Sequence, residues 1–243
     1  VVRRVEFLKN SRTNRRRFGE FVVEGVKPID QARRHRWPIR SLIYVGGRPI
    51  SSWARETLAA TPEARHVEIS PALMERLSDK HNPSDLVAVV AMPPDDPARI
   101  QTRPNTLVAV FDRPSSPGNL GSVIRSCHAL GADGLFVTGH GTDVYNPQTV
   151  RASMGSLFAR PPARGEPSGR LVGLDAHAER TLAEVDPEPP LVLALGAERE
   201  GLPAEVEERF RIPLREDGPD SLNVAMAATV ALYDVAHRMA AHG

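Results

Sequence analysis

The sequence has one cysteine and no long hydrophobic run. The first excludes a disulfide-stabilised chain, and the second argues against a membrane-spanning one. Cys127 alone cannot form an intramolecular disulfide or a cysteine-based zinc cluster, and its simplest interpretation is a small buried helix residue. No apolar run approaches the roughly 20 residues of a membrane span. The Arg-rich opening segment also lacks the apolar core of a signal peptide. We therefore expect a cytoplasmic protein with no membrane partner.

Two kinds of ligand motif are also missing. None of the 8 histidines pairs with another at metal-ligand spacing, so we expect no metal site. The sequence contains neither GxGxxG nor GxxxxGK, which leaves a dinucleotide-binding fold or a P-loop weakly supported.

Positive charge is concentrated at the start of the chain. The formal net charge is only +1, yet residues 1–40 carry twelve Lys or Arg against four acids. A localised basic segment on a near-neutral chain is typical of a nucleic-acid-binding face. The alternative is a solvated basic tail, but the apolar residues that follow Arg17 tie the segment to a core. We therefore favour RNA or DNA contact through Arg12, Arg15, Arg16 and Arg17.

The length of 243 residues suggests one large or two ordinary domains. A segment rich in Pro and charge, residues 95–105, is typical of a linker. It separates a predicted domain of residues 1–94 from one of residues 106–243.

Short Val- and Leu-rich strands alternate with helices in both halves, which predicts α/β domains with mainly parallel sheets. In the first half we predict helices at 25–36, 51–60 and 71–77, and strands at 41–45, 65–69 and 86–92. In the second half we predict helices at 120–130, 147–154, 203–209 and 222–240, and strands at 106–111, 135–138, 157–160, 171–175, 191–195 and 210–212.

One predicted connection is unusually short. Only ten residues separate the strand ending at Arg160 from the strand beginning at Leu171, whereas a parallel crossover generally needs a dozen or more. Either this is an unusual loop, or residues present in relatives are absent here.

The carboxyl-terminal third holds the strongest indication of a site. Two loops, in LVLALGAEREGLP (191–203) and RIPL (211–214), follow short apolar runs, and a Ser-Leu-Asn turn begins an apolar helix (221–242). A helix this apolar is buried on most sides, so Ser221 and Asn223 lie at the edge of a core. Polar groups held there are typical of a small-molecule pocket.

A further turn, SSPGNLGSVIRSCHALGA (115–132), follows a predicted strand. Asn119 would cap the following helix, and a Gly-rich turn before a helix is compatible with a phosphate or nucleotide site. Taken alone, Asn119 is a simple cap and Arg125 a surface charge.

Taken together, these segments resemble the TrmH-type branch of the SPOUT RNA methyltransferases. The Asn119–Arg125 helix, GAEREGL (196–202), IPL (212–214) and SLNVAMA (221–227) match that family's motifs in order, and NPQTVRASMGSLF (146–158) resembles its central turn and helix. RRFGEFVVEGVKPIDQA (16–32) and LSDKHNPSDLVAVVAMP (77–93) are similar to the small ribosomal-protein-like α/β/α RNA-binding domain that precedes many such enzymes.

The resemblance implies a fold, a cofactor and an assembly. The catalytic domain would be an α/β sheet whose C-terminal part forms a deep trefoil knot, an exception to the usual avoidance of knots. S-adenosylmethionine would bind in the knot, and two subunits would form a homodimer. The implied cofactor-binding residues are Leu195, Gly196, Ala197, Gly201, Ile212, Leu214, Leu222, Asn223 and Ala227. Arg199 departs from the family, many of whose members have Gly there.

The implied reaction is methyl transfer to a ribose 2′-hydroxyl of structured RNA, with 23S ribosomal RNA favoured as the substrate. Alternatives are a transfer RNA 2′-O-methyltransferase and a non-catalytic RNA-binding or ribosome assembly factor. The implied catalytic residues are Asn119, Arg125, Glu198, Ser221 and Asn223, with Arg151 as a further RNA contact. Without the resemblance, Glu198 is a surface acid, and Trp37 and Trp53 fill the N-terminal core rather than stack on bases.

Overall fold

The computed structural model describes residues 1–78, 81–101 and 103–242, so Asp79 and Lys80 of the second N-terminal motif lie outside the described residues. The chain forms two compact units. The first contains Val1–Pro94 and Tyr145–Ala159, and the second contains Asp95–Val144 and Arg160–Gly243. The boundary after Pro94 is where the sequence predicts it. Residues 145–159, however, belong to the first unit, whereas the remainder of the predicted domain 106–243 belongs to the second.

The first unit is a four-stranded mixed sheet with helices around it. The strand order is β1-β4-β2-β3. Strand β4 pairs antiparallel with both β1 and β2, and β3 pairs parallel with the other edge of β2. The strands are β1 (Glu20–Glu24), β2 (Ile39–Val45), β3 (Arg65–Ile69) and β4 (Val87–Ala91). The helices are α1 (Val2–Asn10), α2 (Arg12–Phe18), α3 (Val26–Arg34), α4 (Ser52–Ala59), α5 (Pro71–Leu77), α7 (Pro147–Ala152) and α8 (Ser156–Ala159).

The basic opening segment is part of this unit's core and not a tail. It forms α1 and α2, which the sequence patterns did not predict, and Val5 and Leu8 are fully buried against β1 and β2 residues such as Val22 and Ile43. Short amphipathic helices of this kind are decided by tertiary packing rather than by propensity.

The second unit is a six-stranded, fully parallel sheet in the order β10-β8-β9-β5-β6-β7. Its central strands are buried on both faces, as their unbroken apolar sequences predict. The strands are β5 (Leu107–Asp112), β6 (Gly134–Thr138), β7 (Ala163–Arg164), β8 (Arg170–Leu174), β9 (Leu191–Leu195) and β10 (Glu208–Phe210). The helices are α6 (Pro117–Ala129) and α9 (Val224–His242), with short 3-10 turns at Pro97–Arg99 and Leu182–Glu184.

Three sequence-based assignments in this half are wrong. The predicted strand 157–160 is the short helix α8, in the first unit. The predicted helix 203–209 is a turn that leads into strand β10, where burial of Phe210 overrides local helix propensity. The segment 95–105 is also more than a linker, because Ile100 packs into the core beneath the second sheet.

The short connection before β8 needs no helix. Strands β7 and β8 are separated by β6, β5 and β9, a distance of about 19 Å at the usual spacing between strands. Residues 165–169 make the crossing without a helix, with bends at Gly165 and Gly169, whose φ angles are +133° and +138°. At Gly169 the backbone lies close to β9, because a Cβ there would stand 2.9 Å from the Pro190 carbonyl oxygen and 3.2 Å from Val192 Cγ2.

Candidate active site

The carboxyl ends of three neighbouring strands meet at one edge of the second sheet. Leu195 of β9 pairs with Leu174 of β8, which in turn pairs with Phe210 of β10. The loops that follow these strands therefore converge, and residues 214–224 with the start of α9 close the space between them. The result is a cavity of about 570 Å³, within the usual range for small-molecule sites.

Every cofactor-binding residue that the resemblance implies lines this cavity. They are Leu195, Gly196, Ala197, Gly201, Ile212, Leu214, Leu222, Asn223 and Ala227. Glu198 and Ser221 line it as well. These residues come from three separated segments of sequence, so their convergence is a property of the sheet and not of any one motif.

The loop after β9 is a tight turn that excludes side chains at its base. Ala197 and Gly201 exchange two backbone hydrogen bonds, each 3.0 Å long. A Cβ at Gly196 would lie 2.3 Å from the Gly201 carbonyl carbon, so only glycine fits there. Gly201 has φ +70°, in the left-handed region that glycine adopts without strain. Arg199 is exposed in the middle of this turn, and the turn closes without glycine at that position.

Glu198 holds the start of α6 against this loop. One carboxylate oxygen accepts from the Ser115 N–H (2.9 Å) and hydroxyl (2.8 Å), and the other accepts from the Ser116 N–H (3.1 Å). Partial burial by itself raises the pKa of Glu198, but the hydrogen bonds from Ser115 and Ser116 outweigh it and hold the pKa below its ordinary value. The carboxylate is thus ionised at neutral pH and fixed in position.

Asn119 joins Glu198 to the start of α9. Its amide nitrogen is 3.3 Å from the second Glu198 oxygen, and its amide oxygen accepts from Asn223 Nδ2 at 3.1 Å. Asn223 Oδ1 accepts from the Ala225 N–H, which makes Asn223 the cap of α9. The cap of α6 is Ser116, whose hydroxyl accepts from the Asn119 N–H. The expectation that Asn119 caps this helix is therefore wrong, because the helix begins at Pro117, two residues earlier.

Two predicted site residues lie elsewhere. Arg125 is exposed on α6 and is not among the residues that line the cavity. Arg151 is exposed on α7 in the first unit.

The predicted RNA contacts on α2 divide into two groups. Arg16 and Arg17 are exposed. Arg15, however, is only 3% exposed, and its guanidinium donates to the carbonyl oxygens of Leu8 and Lys9. Arg15 therefore holds α1 and α2 together and cannot serve as a surface contact. Arg12 is partly buried.

Both tryptophans are partly buried, and the indole N–H of each is hydrogen-bonded. Trp37 stacks edge-on against Phe21 and Phe158, and its Nε1–H donates to the Phe158 carbonyl oxygen at 3.1 Å. The Trp53 Nε1–H donates to Asp30.

Burial raises the pKa of the Cys127 thiol to about 12, which makes this residue unreactive.

Sequence reasoning missed part of the cavity wall. The walls also include Leu174–Ala176, Phe210, and the polar run from Arg215 to Asp220. The end of β8 could have been predicted as part of the cavity, because the carboxyl ends of parallel strands lie at the same edge of a sheet. The polar run carries a turn signal, Asp217-Gly218-Pro219, but nothing in it predicts that the turn lies against the cavity.

A search of the described part of the chain found no cluster of three or more His, Cys, Asp or Glu residues suited to a metal ion. Within the same residues, no helix combines the length and apolarity needed to span a membrane.

A parallel sheet with a cavity at its carboxyl edge defines the second unit as an α/β ligand-binding domain. The model of the SpoU rRNA Methylase family matches residues 106–233, and that of the SpoU L30e-like domain matches residues 3–88. The chain belongs to the SpoU rRNA methylase family. This confirms the family resemblance deduced from the motifs.

Similar proteins share the whole architecture. Over 248 aligned residues, covering 93% of this chain and 86% of the relative, the chain is 42% identical to a 23S rRNA (uridine(2479)-2′-O)-methyltransferase from Streptomyces viridochromogenes. The structure of the SpoU methyltransferase AviRb from the same organism, in complex with the cofactor AdoMet, superposes with a TM-score of 0.90 at 40% identity, covering 98% of this chain and 97% of that one. An AdoMet-bound rRNA methyltransferase from Sinorhizobium meliloti gives a TM-score of 0.86 at 27% identity, covering 98% and 94%.

Proposed function

We propose that this chain is a ribosomal RNA 2′-O-methyltransferase that uses S-adenosylmethionine and acts on 23S ribosomal RNA in the cytoplasm. The observation that carries the proposal is the convergence of the three family motifs on one cavity at the carboxyl edge of the parallel sheet. The Streptomyces viridochromogenes relative, 42% identical and named for this reaction, supports the substrate class.

The residues of the cavity fit the cofactor. At Gly201 a Cβ would meet nothing within 4 Å, so the backbone there leaves room for the close approach of a nucleoside. Ile212, Leu214 and Leu222 supply apolar wall. Four acids (Asp175, Glu198, Glu216 and Asp220) and two arginines (Arg211 and Arg215) also line the space, and this acidic balance suits a ligand that carries a positive sulfonium. S-adenosylmethionine supplies an activated methyl group, so the protein's task is to align and activate the ribose hydroxyl.

We assign the activation of that hydroxyl to Arg125. Arginine is effectively always protonated, so it acts by stabilising the negative charge that develops on the ribose oxygen rather than by removing the proton. Asn119, Glu198 and Asn223 form one hydrogen-bonded row that orients the loop and helix ends around the donor. Ser221 contributes a hydroxyl at the rim, and Arg151 binds an RNA phosphate.

We also propose that the chain acts as a homodimer through α9. Met226, Val230 and Tyr233 are 63%, 42% and 62% exposed, and their spacing puts them on one face of the helix. A second copy would cover this apolar stripe. Because Arg125 is exposed and outside the cavity lining of its own chain, we place it in the active site of the second subunit.

The trefoil knot belongs to the same proposal. In it, the segment from Arg211 to Asn223 passes through the loop formed by neighbouring parts of the chain before α9 begins. The convergence of that segment with the loops after β8 and β9 supports this path.

The proposed activity is tested with purified protein, S-adenosylmethionine labelled in its methyl group, and 23S ribosomal RNA transcribed in vitro, with bulk transfer RNA as the comparison. We expect label in 23S RNA, recovered in an alkali-resistant dinucleotide, because a 2′-O-methyl group blocks alkaline cleavage. Label in transfer RNA alone would contradict the proposed substrate. Calorimetry that shows cofactor binding without any transfer would favour the non-catalytic alternative.

Sedimentation velocity tests the assembly. Tyr233→Glu should convert a dimer to a monomer, because a buried unpaired carboxylate opposes association. Val26→Glu is the matched control, since Val26 is 49% exposed on α3. A wild-type monomer at micromolar concentration would contradict the dimer.

A further inference from the structure

The first unit has a strongly basic end that the topology creates. Strands β1, β2 and β3 all run in the same direction, because β4 is antiparallel to both β1 and β2, and β3 is parallel to β2. Their amino ends therefore lie at one end of the sheet. Arginines precede or begin each of these strands: Arg16 and Arg17 before β1, Arg34 and Arg36 before β2, Arg40 at the start of β2, and Arg65 at the start of β3.

These arginines surround two recesses in this end of the unit. One has a volume of about 710 Å³ and includes Arg33, Arg34, Arg36 and the edge of Trp37 in its lining. The other, of about 150 Å³, is lined by Arg4, Arg40 and Arg65. Arg40 and Arg65 both line the smaller recess, where β2 and β3 pair at Ser41 and Arg65.

Most of these cations have no anionic partner within the described residues. The guanidinium groups of Arg34, Arg36, Arg40 and Arg65 are exposed and make no hydrogen bond or ion pair there. The nearby acids Glu20 and Asp30 pair with Arg4 and Arg33, so they neutralise other cations. Among the described acids that line the two recesses, Glu63 is the one left to offset the exposed set.

Trp37 and Arg36, which line the larger recess, are held by hydrogen bonds. Trp37 is fixed by its hydrogen bond to the Phe158 carbonyl oxygen and by its packing on Phe21. Arg36 adopts φ +57°, a left-handed conformation that is uncommon for a non-glycine residue and is found more often where function requires it. The Arg36 N–H donates to the Arg33 carbonyl oxygen (3.0 Å) and the Trp37 N–H to the Ala32 carbonyl oxygen (2.9 Å), so Arg36 extends from a hydrogen-bonded turn and not from a tail.

We propose that this basic end, defined by Arg34, Arg36, Arg40 and Arg65, grips the phosphate backbone of the substrate RNA. Guanidinium groups suit this role because they remain charged and match phosphate geometry with paired donors. The contacts would add affinity and fix the position of the RNA without reading its sequence. The inference rests on the proposed function only in that the substrate is RNA.

The test compares two triple variants that remove the same charge from the first unit. Arg36→Gln, Arg40→Gln and Arg65→Gln alter the basic end. Arg48→Gln, Arg55→Gln and Arg76→Gln alter exposed arginines elsewhere in the unit. Binding of full-length 23S ribosomal RNA transcribed in vitro is measured by filter retention from about 50 to 200 mM salt. Calorimetry with S-adenosylmethionine and thermal unfolding check each variant.

We expect the basic-end variant to lose about tenfold or more in RNA affinity at the lower salt concentration. The slope of log affinity against log salt should become shallower by about 2 to 3, because each lost phosphate contact removes about 0.7 to 0.9. Cofactor affinity should be unchanged, and methyl transfer should recover at saturating RNA. The control variant should change the slope by less than about 1.

An unchanged slope in a folded basic-end variant, or an equal loss in the control variant, would overturn the inference. A wild-type protein that binds RNA but transfers no methyl group would contradict the proposed function instead, and the comparison of salt slopes would still decide the role of the basic end. If the triple variant unfolds, the salt dependence of RNA binding is measured with the single variants Arg36→Gln and Arg65→Gln. Each should change the slope by about 0.7 to 0.9.

Discussion

Glu198 shows how one carboxylate can join two segments that are far apart in sequence. It accepts hydrogen bonds from Ser115 and Ser116 at the start of α6 and from Asn119 one turn later. A negative charge at a helix amino terminus is also stabilised by the helix dipole. The residue therefore orders the α6 end of the cavity whether or not it touches the ligand.

We predict that Glu198→Gln lowers the free energy of unfolding by about 1 kcal/mol or less at pH 7, since the group is exposed and solvent screens its interactions. The pKa of Glu198 is lowered in the folded state from 4.5. Its stabilising effect is thus complete above pH 4.5 and is lost as the pH falls through the lowered value. Denaturant unfolding of both proteins from pH 7 to pH 3 measures this. A difference that grows on acidification would contradict the assignment.

Arg125 tests the proposed chemistry. We predict that Arg125→Ala lowers kcat by about two to three orders of magnitude, the usual loss for a group that stabilises developing negative charge, and leaves the dissociation constant for S-adenosylmethionine unchanged. Single-turnover methyl transfer and calorimetry measure the two quantities. Normal turnover would remove Arg125 from the mechanism.

A mixing experiment locates Arg125 relative to the cofactor. If Arg125 serves the second subunit, equilibrating Arg125→Ala with the cofactor-loop variant Gly196→Ala produces heterodimers with one complete site, and activity partly returns. If Arg125 serves its own chain, every mixed dimer is inactive. The absence of recovery in a mixture shown to exchange subunits would contradict the proposed arrangement.

At the scale of elements, the loop after β9 depends on close approach of backbone to backbone. We predict that Gly196→Ala weakens cofactor binding at least tenfold and destabilises the protein by about 1 to 3 kcal/mol, the usual cost of forced overpacking. The added Cβ would lie 2.3 to 2.5 Å from backbone atoms of Gly201 and Leu202, and the turn would have to open. Cofactor titration and thermal unfolding provide the measurements.

Gly118→Ala is the matched control for that loop. A Cβ at Gly118 would meet only Ser116 Oγ, at 3.7 Å, and alanine in a helix is favoured over glycine by up to about 1 kcal/mol. We therefore expect unchanged or slightly raised stability. Equal losses from both substitutions would show that the Gly196 contact is not the cause.

At the scale of the whole molecule, the first unit is assembled from two separate stretches of chain. Tyr145 and Phe158 pack against Phe21 and Trp37, so a fragment of residues 1–94 lacks part of its own core. We predict that this fragment is poorly folded and that its tryptophan fluorescence is shifted to the red, because Trp37 loses its cover. Joining residues 145–159 to it through a flexible linker should restore the shift and cooperative unfolding. A cooperatively folded fragment of residues 1–94 alone would contradict the division.

The sequence by itself determined the family and the α/β class, and it predicted the loops that line the cavity of the second unit. Those features rest on local patterns: unbroken apolar strands, glycines at tight turns, and motifs that keep their order and spacing. The central strands β5 and β9, the helix α6 and the long apolar helix α9 follow from such patterns, as does the boundary near Pro94.

Only the tertiary structure decided where distant residues meet. It placed Tyr145–Ala159 in the first unit, turned the predicted strand 157–160 into a helix, and buried Arg15 beneath carbonyl groups of α1. It also gathered arginines from three separate strand starts at one end of a sheet. Local sequence fixes the conformation that a segment prefers, but strand order and packing decide its neighbours, because those depend on contacts between residues far apart in the chain.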